Sequence, residues 1–226
     1  MVRESFQEDL ENIKGRISQL GKEVEEAIIE AVDALMRGDL QGSRDMISED
    51  KEINERRFDI ESDILMLIAT QQPMASDLRL LAAMLELTTE LEHMGDYAKG
   101  IAKINLLMGE TRLIEPPVEI SQMADKAQAM LHRSVDAFMR QDVDMARAIP
   151  PEDDAVDTLY NTVYENLLQY ISDDACRMEQ ANYLMWAAHN LERTADRVTN
   201  ICERVVFTVT GKMQEFKPDY GIESVL

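Results

Sequence analysis

ALMRGDL, residues 34–40, and AFMRQDV, residues 137–143, keep Ala, Met, Arg and Asp at matched places 103 positions apart. The same offset relates Glu49-Asp50 to Glu152-Asp153, Ile53 to Val156, Asn54 to Asp157 and Ile64 to Leu167. It then shortens to 100 for Leu91/Leu191, Glu92/Glu192, Asp96/Asp196 and Ile101/Ile201. Self-similarity at a fixed period marks two copies of one structural unit. The three residues lost between the copies belong in a loop, around QQPMAS (71–76) in the first and DDACRME (173–179) in the second.

Periodicity supplies the elements. From Phe6, apolar residues recur at Leu10, Ile13, Ile17, Leu20, Val24, Ala27, Ala31 and Leu35. Steps of three and four describe one stripe of a long helix that ends near Gly38. A second helix runs from about Leu40 to Ala69, with Met46, Ile53, Ile60, Ile64 and Leu67 inward, and Pro73 breaks it. Ser76 reads as the N-cap of a third, whose inward residues are Leu80, Met84, Leu87, Leu91, Met94, Ala98 and Ile101. The second copy repeats the scheme at about 119–140, 142–172 and 179–210, with Pro150-Pro151 interrupting its middle helix. The expected fold is all-α: two tandem three-helix bundles with antiparallel, coiled-coil-like crossings, placed end to end in an elongated molecule. The repeats occupy 1–109 and 119–210, separated by a linker at 110–118 and followed by a polar tail at 211–226.

Composition agrees. Apolar residues make up 45% of the 226, enough for a core, while aromatics are only 5% and Met numbers 15, which favours helices over a β sandwich. The net charge of −21 repels nucleic-acid backbones and anionic lipid, so neither is expected as a direct partner. Cations and basic protein surfaces suit it better. The N-terminal MVRESFQEDLENIKG has no apolar core of a signal peptide, and no window is apolar enough for a transmembrane segment, so a cytoplasmic protein is expected. Cys176 and Cys202 form no disulfide or zinc pattern.

The repeated acids are the candidate site. With Met84 at heptad position a, Glu92 falls at b and Asp96 at f, and Glu192 and Asp196 take the same places on the last helix. Each pair sets two carboxylates side by side on the outer face, where like charges four apart are mildly destabilising. Heptad counting puts Asp50 and Asp153 on the inward stripe of the middle helices, with Asn54 and Asp157 one turn later. An unpaired inward carboxylate is costly unless it is paired, near an end or metal-bound. Antiparallel neighbours would gather these groups into an all-oxygen cluster suited to iron, Mg²⁺, Mn²⁺ or Ca²⁺. The competing reading is a scaffold whose acids only keep it soluble. A di-iron enzyme needs two Glu-x-x-His motifs; Glu90–His93 supplies one, but Asn190–Arg193 stands in the second place. No phosphate loop or nucleophile elbow is present, and no enzymatic activity is expected.

RDMISEDKEIN, QQPMASDLRLL, ELEHMGDYAKGI and NLERTADRVTNICE together resemble the PhoU family, over nearly the whole chain to about residue 210. The resemblance implies two three-helix bundles in tandem and a regulatory role. It implies a cytoplasmic negative regulator of phosphate uptake that couples the ATPase subunit of a phosphate ABC transporter to a phosphate-sensing histidine kinase, with dimerisation expected. It also implies metal binding at Asp50/Asn54, Glu92/Asp96, Asp153/Asp157 and Glu192/Asp196, where Asn54 departs from the carboxylate pattern. An accessory of a different phosphate carrier is the alternative within the same class.

Overall fold

The computed structural model describes residues 2–216, with side chains from Ser5 onward; the end of the predicted tail, 217–226, lies outside the described residues. The first repeat is α1 (Val2–Arg37), α2 (Leu40–Gln71) and α3 (Ser76–Met108). The second is α4 (Val118–Arg140), a short α5 (Val143–Ala148), α6 (Asp153–Asp173) and α7 (Met178–Thr210). The expected middle helix at 142–172 is therefore divided. Pro150 and Pro151 lack the backbone donors a helix needs and sit in a 3₁₀ turn, Pro150–Glu152, between α5 and α6.

The stretches that reveal the repeat are its first hinges. Gly38 at φ 69° and Gln141 at φ 55° both turn left-handed after a helix. The following residue then caps the next helix: the Asp39 carboxylate accepts from Gly42 N at 2.8 Å, and that of Asp142 from Met145 N at 3.0 Å. Ser76, read from the sequence as the N-cap of α3, is instead its first residue. Ala75 precedes it at φ 49° with no side-chain cap.

Every residue assigned to the inward stripe of α3 is buried, as are Ile60, Ile64 and Leu67 of α2; Met46 and Ile53 are only partly covered. Truncating a fully buried leucine such as Leu91 to alanine would cost about 2–5 kcal/mol. The repeats do not lie end to end. α1 packs on α4 and α3 on α7, so these four helices form a central layer flanked by α2 on one side and α6 on the other. One continuous core runs through both repeats. The molecule is still elongated, because the 33-residue α3 spans about 50 Å.

Polar contacts fix the register of this inner seam. Tyr97 Oη on α3 accepts from Arg193 Nε at 3.0 Å and from Arg197 Nε at 2.8 Å. Glu90 accepts from Arg197 Nη1 at 2.8 Å, and Arg204 pairs with Glu86. These pairs run antiparallel and centre near Gly95 and Ala195, so a pseudo-two-fold axis relates the repeats there. The linker is tied down as well. Leu113 N donates to Gln180 Oε1 at 2.7 Å, Gln180 Nε2 donates to Thr111 O at 2.8 Å, and Ile114 is buried.

Candidate functional site

In the first repeat, α2 turns Asp50 inward until only 7% of it is exposed. Its Oδ2 receives Lys99 Nζ from α3 at 2.5 Å and Asn54 Nδ2 at 3.2 Å. Lys99 also reaches Asp96 Oδ1 at 3.4 Å. The hydrogen bond to Asp50 holds the Lys99 ammonium above its ordinary pKa. A cleft of about 260 Å³ opens beside this pair, with Glu23, Glu26, Glu30 and Glu49 on its walls.

The second repeat places Asp153 at the first turn of α6, 6% exposed, with Asp157 one turn later. Across from them, α7 presents Glu192 and Asp196. Asp153 is pushed up to about 7, first by burial and then by Asp157, Asp196 and Glu192. The positive end of the α6 dipole works against that shift. Glu192 is also pushed up to about 7, by burial and then by Asp196 and Asp157, with Arg193 opposing. Burial raises Asp157 and Asp196 too; in Asp196 it is opposed by Arg193, His189 and Arg197. These mutual effects bring all four predicted carboxylates into one electrostatic neighbourhood.

Two of their oxygens lack a hydrogen-bond donor. Asp153 Oδ1 and Glu192 Oε2 are buried without a hydrogen-bond partner. His189 Nδ1 stands 3.2 Å from Glu192 Oε2 but outside hydrogen-bonding geometry. The residue in the place of Lys99 is Thr199, whose hydroxyl donates to the backbone oxygen of Asp196 at 2.6 Å. Buried carboxylate oxygens left without donors are an expensive arrangement for the protein alone. They fit a cation that takes oxygen ligands. Among the described residues, no three His, Cys, Asp or Glu side chains already stand together as a finished ligand set.

The expected outward position of the acids holds for Asp96, 46% exposed, but not for the glutamates. Glu92 and Glu192 expose only 15% and 23% of their side chains. A heptad count along one stripe does not register this partial burial; for Glu192 it comes with the neighbourhood of Asp157 on α6. Sequence reasoning also passed over Lys99. The available signal was a lysine three residues after Asp96, opposite an inward aspartate, in one repeat only. Arg79 lays its guanidinium over the C-terminal end of α7, where a β-carbon on Gly211 would stand 3.6 Å from Cζ. Cys176 is exposed and Cys202 buried, both unpaired.

The PhoU domain model matches residues 17–104 and 120–205, one match per repeat. The chain belongs to the PhoU family. A Clostridium acetobutylicum relative described as a phosphate-specific transport system accessory protein PhoU homolog is 34% identical over 214 residues, covering 94% of this chain and 97% of that one. The crystal structure of PhoU from Pseudomonas aeruginosa is similar with a TM-score of 0.86 at 30% identity, covering 92% of this chain and 100% of the other. That of the phosphate transport system regulatory protein PhoU from Streptococcus pneumoniae gives 0.87 at 28% identity, over 93% and 100%. The tandem PhoU bundles are thus the shared scaffold, and no helix among the described residues is long and apolar enough to cross a membrane.

Proposed function

We propose that this chain is a regulatory accessory of a phosphate-specific transporter, acting from the cytoplasmic side, and that a cation held by Asp153, Asp157, Glu192 and Asp196 takes part in that regulation. The family membership supports the first half. The observation that carries the second is the pair of buried oxygens without a hydrogen-bond donor, Asp153 Oδ1 and Glu192 Oε2. Iron, Mg²⁺ and Mn²⁺ all suit such a donor set. A bound cation would offset part of the −21 charge and leave open positions for a partner's carboxylates or for phosphate. The partners in this reading are the transporter's ATPase subunit and a phosphate-sensing histidine kinase. A homodimer belongs to the same reading, and exposed apolar side chains such as Trp186, Met178 and Leu168 offer it contact surface.

The test is capture of the ATPase subunit by purified protein, with and without Mn²⁺, comparing wild type with Glu192→Ala plus Asp196→Ala. The double variant is expected to keep its helical content and lose the Mn²⁺-dependent part of capture. Equal capture by both proteins, with equal metal content, would defeat the proposal.

A further inference from the structure

Lys99 Nζ sits 2.5 Å from the buried Asp50 and 3.4 Å from Asp96. It therefore occupies the space between the two acid-bearing helices, where a cation shared by α2 and α3 would sit. Asn54 completes the arrangement, spending its amide N–H on Asp50 Oδ2 at 3.2 Å and on Asp50 O at 3.3 Å. The first repeat thus provides both a positive charge and a donor to its inward aspartate. At the matching places the second repeat has Thr199 and Asp157, a neutral hydroxyl turned to its own helix and a further carboxylate. Its inward aspartate, 94% out of contact with solvent by its 6% exposure, keeps Oδ1 partnerless.

We infer that Lys99 is a built-in cation that closes the first repeat to divalent metal, so that each chain loads metal at the second repeat only. A lysine ammonium is a compact point charge with three donors and competes directly with a metal ion for the same oxygens. Because Lys99 is tethered, it faces Asp50 at an effective concentration that free Mn²⁺ in the micromolar range does not match. Lys99 and Asn54 are then the residues that set how many ions the protein takes, and in which half. The inference rests on the cation reading of the second repeat, and the two fail in different ways.

The experiment measures Mn²⁺ binding by titration calorimetry and by the loss of free-ion electron paramagnetic resonance signal, on the full chain. Three variants are compared with wild type: Asn54→Asp plus Lys99→Thr, Asp157→Asn plus Thr199→Lys, and Glu192→Ala plus Asp196→Ala. Thermal unfolding followed by circular dichroism reports folding in each. Opening the first repeat should add a second class of sites and raise the stoichiometry about two-fold. Closing the second repeat should remove Mn²⁺ binding while the protein remains folded, which gives an independent answer if the first variant does not fold. Unchanged stoichiometry in a folded Asn54→Asp plus Lys99→Thr protein overturns the role of Lys99, as does undiminished binding in Asp157→Asn plus Thr199→Lys. Wild-type Mn²⁺ stoichiometry that survives Glu192→Ala plus Asp196→Ala overturns the second-repeat reading itself.

Discussion

The two repeats share a scaffold and differ in how they balance charge. Their hinges, inward stripes and acidic spacing are the same, down to an aspartate cap after a left-handed residue in each. Yet the first repeat answers its buried aspartate with Lys99, and the second leaves its own under the charges of Asp157, Asp196 and Glu192. Packing is held by a dense core that tolerates little change in volume. Charge at the flank is held only by the requirement that a buried ion have some partner. That partner can be a side chain in one copy and a solute in the other. Replacing Lys99 with methionine tests this most severely, because the stem volume stays and only the charge goes. Asp50 would remain buried with Asn54 alone. We expect Lys99→Met to cost about 3 kcal/mol in denaturant unfolding, near the low end for breaking a buried pair. Thr199→Met, its counterpart, should cost less than about 1 kcal/mol. Equal costs would mean that the two sites are not electrostatically different.

The second repeat carries the opposite signature, in pH. Asp153 rises from 3.8 in the unfolded chain to about 7 in the folded one. Below pH 4 its carboxyl is neutral in both states and contributes nothing. Between these values the unfolded chain releases a proton that the folded chain keeps, so the folded state loses ground as pH rises and stays at that disadvantage above 7. The groups facing it are Asp154 and Asp157 from α6 and Glu192 and Asp196 from α7, all acidic. Asp153→Asn removes the effect and adds two donors. The variant should match wild type near pH 4 and exceed its stability by up to about 4 kcal/mol above pH 7, without added metal. A stability difference that is flat from pH 4 to 8 would put Asp153 in ordinary aqueous surroundings.

The repeat, the helices apart from the divided middle one of the second copy, and the inward stripes were legible because a buried face repeats every three or four residues. The flank-to-flank docking was not, because the face of α3 that meets α7 carries Glu86, Glu90 and Tyr97, polar residues that read as solvated. α3 buries Leu81, Thr88, Gly95 and Ala102 beside its main stripe, and α7 buries Ala181, Ala188, Ala195 and Cys202, each set spaced by seven. A second stripe of mostly small residues is what a helix needs when it is packed on two sides, but periodicity scored on one stripe does not count it. The same omission turned Glu92 and Glu192 outward. The aspartates were legible for a simple reason: an acid on an apolar stripe contradicts its surroundings. Lys99 on a solvated-looking face contradicts nothing, so its reach across to α2 is visible only in three dimensions.

Steric difference remains as a rival explanation for the unequal repeats, and Gly95 separates it from charge. Gly95 and Ala195 occupy matched places beside the pseudo-two-fold axis, and both are buried. A β-carbon at Gly95 would meet Ile53 at 3.4 and 3.5 Å and Val24 at 4.0 Å, ordinary contacts with side chains rather than backbone. Ile53 is only partly covered and has room to give. Alanine gains about 0.5–1 kcal/mol over glycine inside a helix, and the contact with Ile53 takes back part of that. Gly95→Ala should therefore stabilise the protein by about 0.5 kcal/mol, read as a small upward shift of the denaturant midpoint at constant slope. It should leave the consequences of Lys99→Met unchanged, since it touches neither Asp50 nor the ammonium. A loss of stability instead would mean that α2 lies closer on α3 than α6 does on α7. The first repeat would then exclude a metal ion by lack of space, with Lys99 filling a gap already too narrow for one.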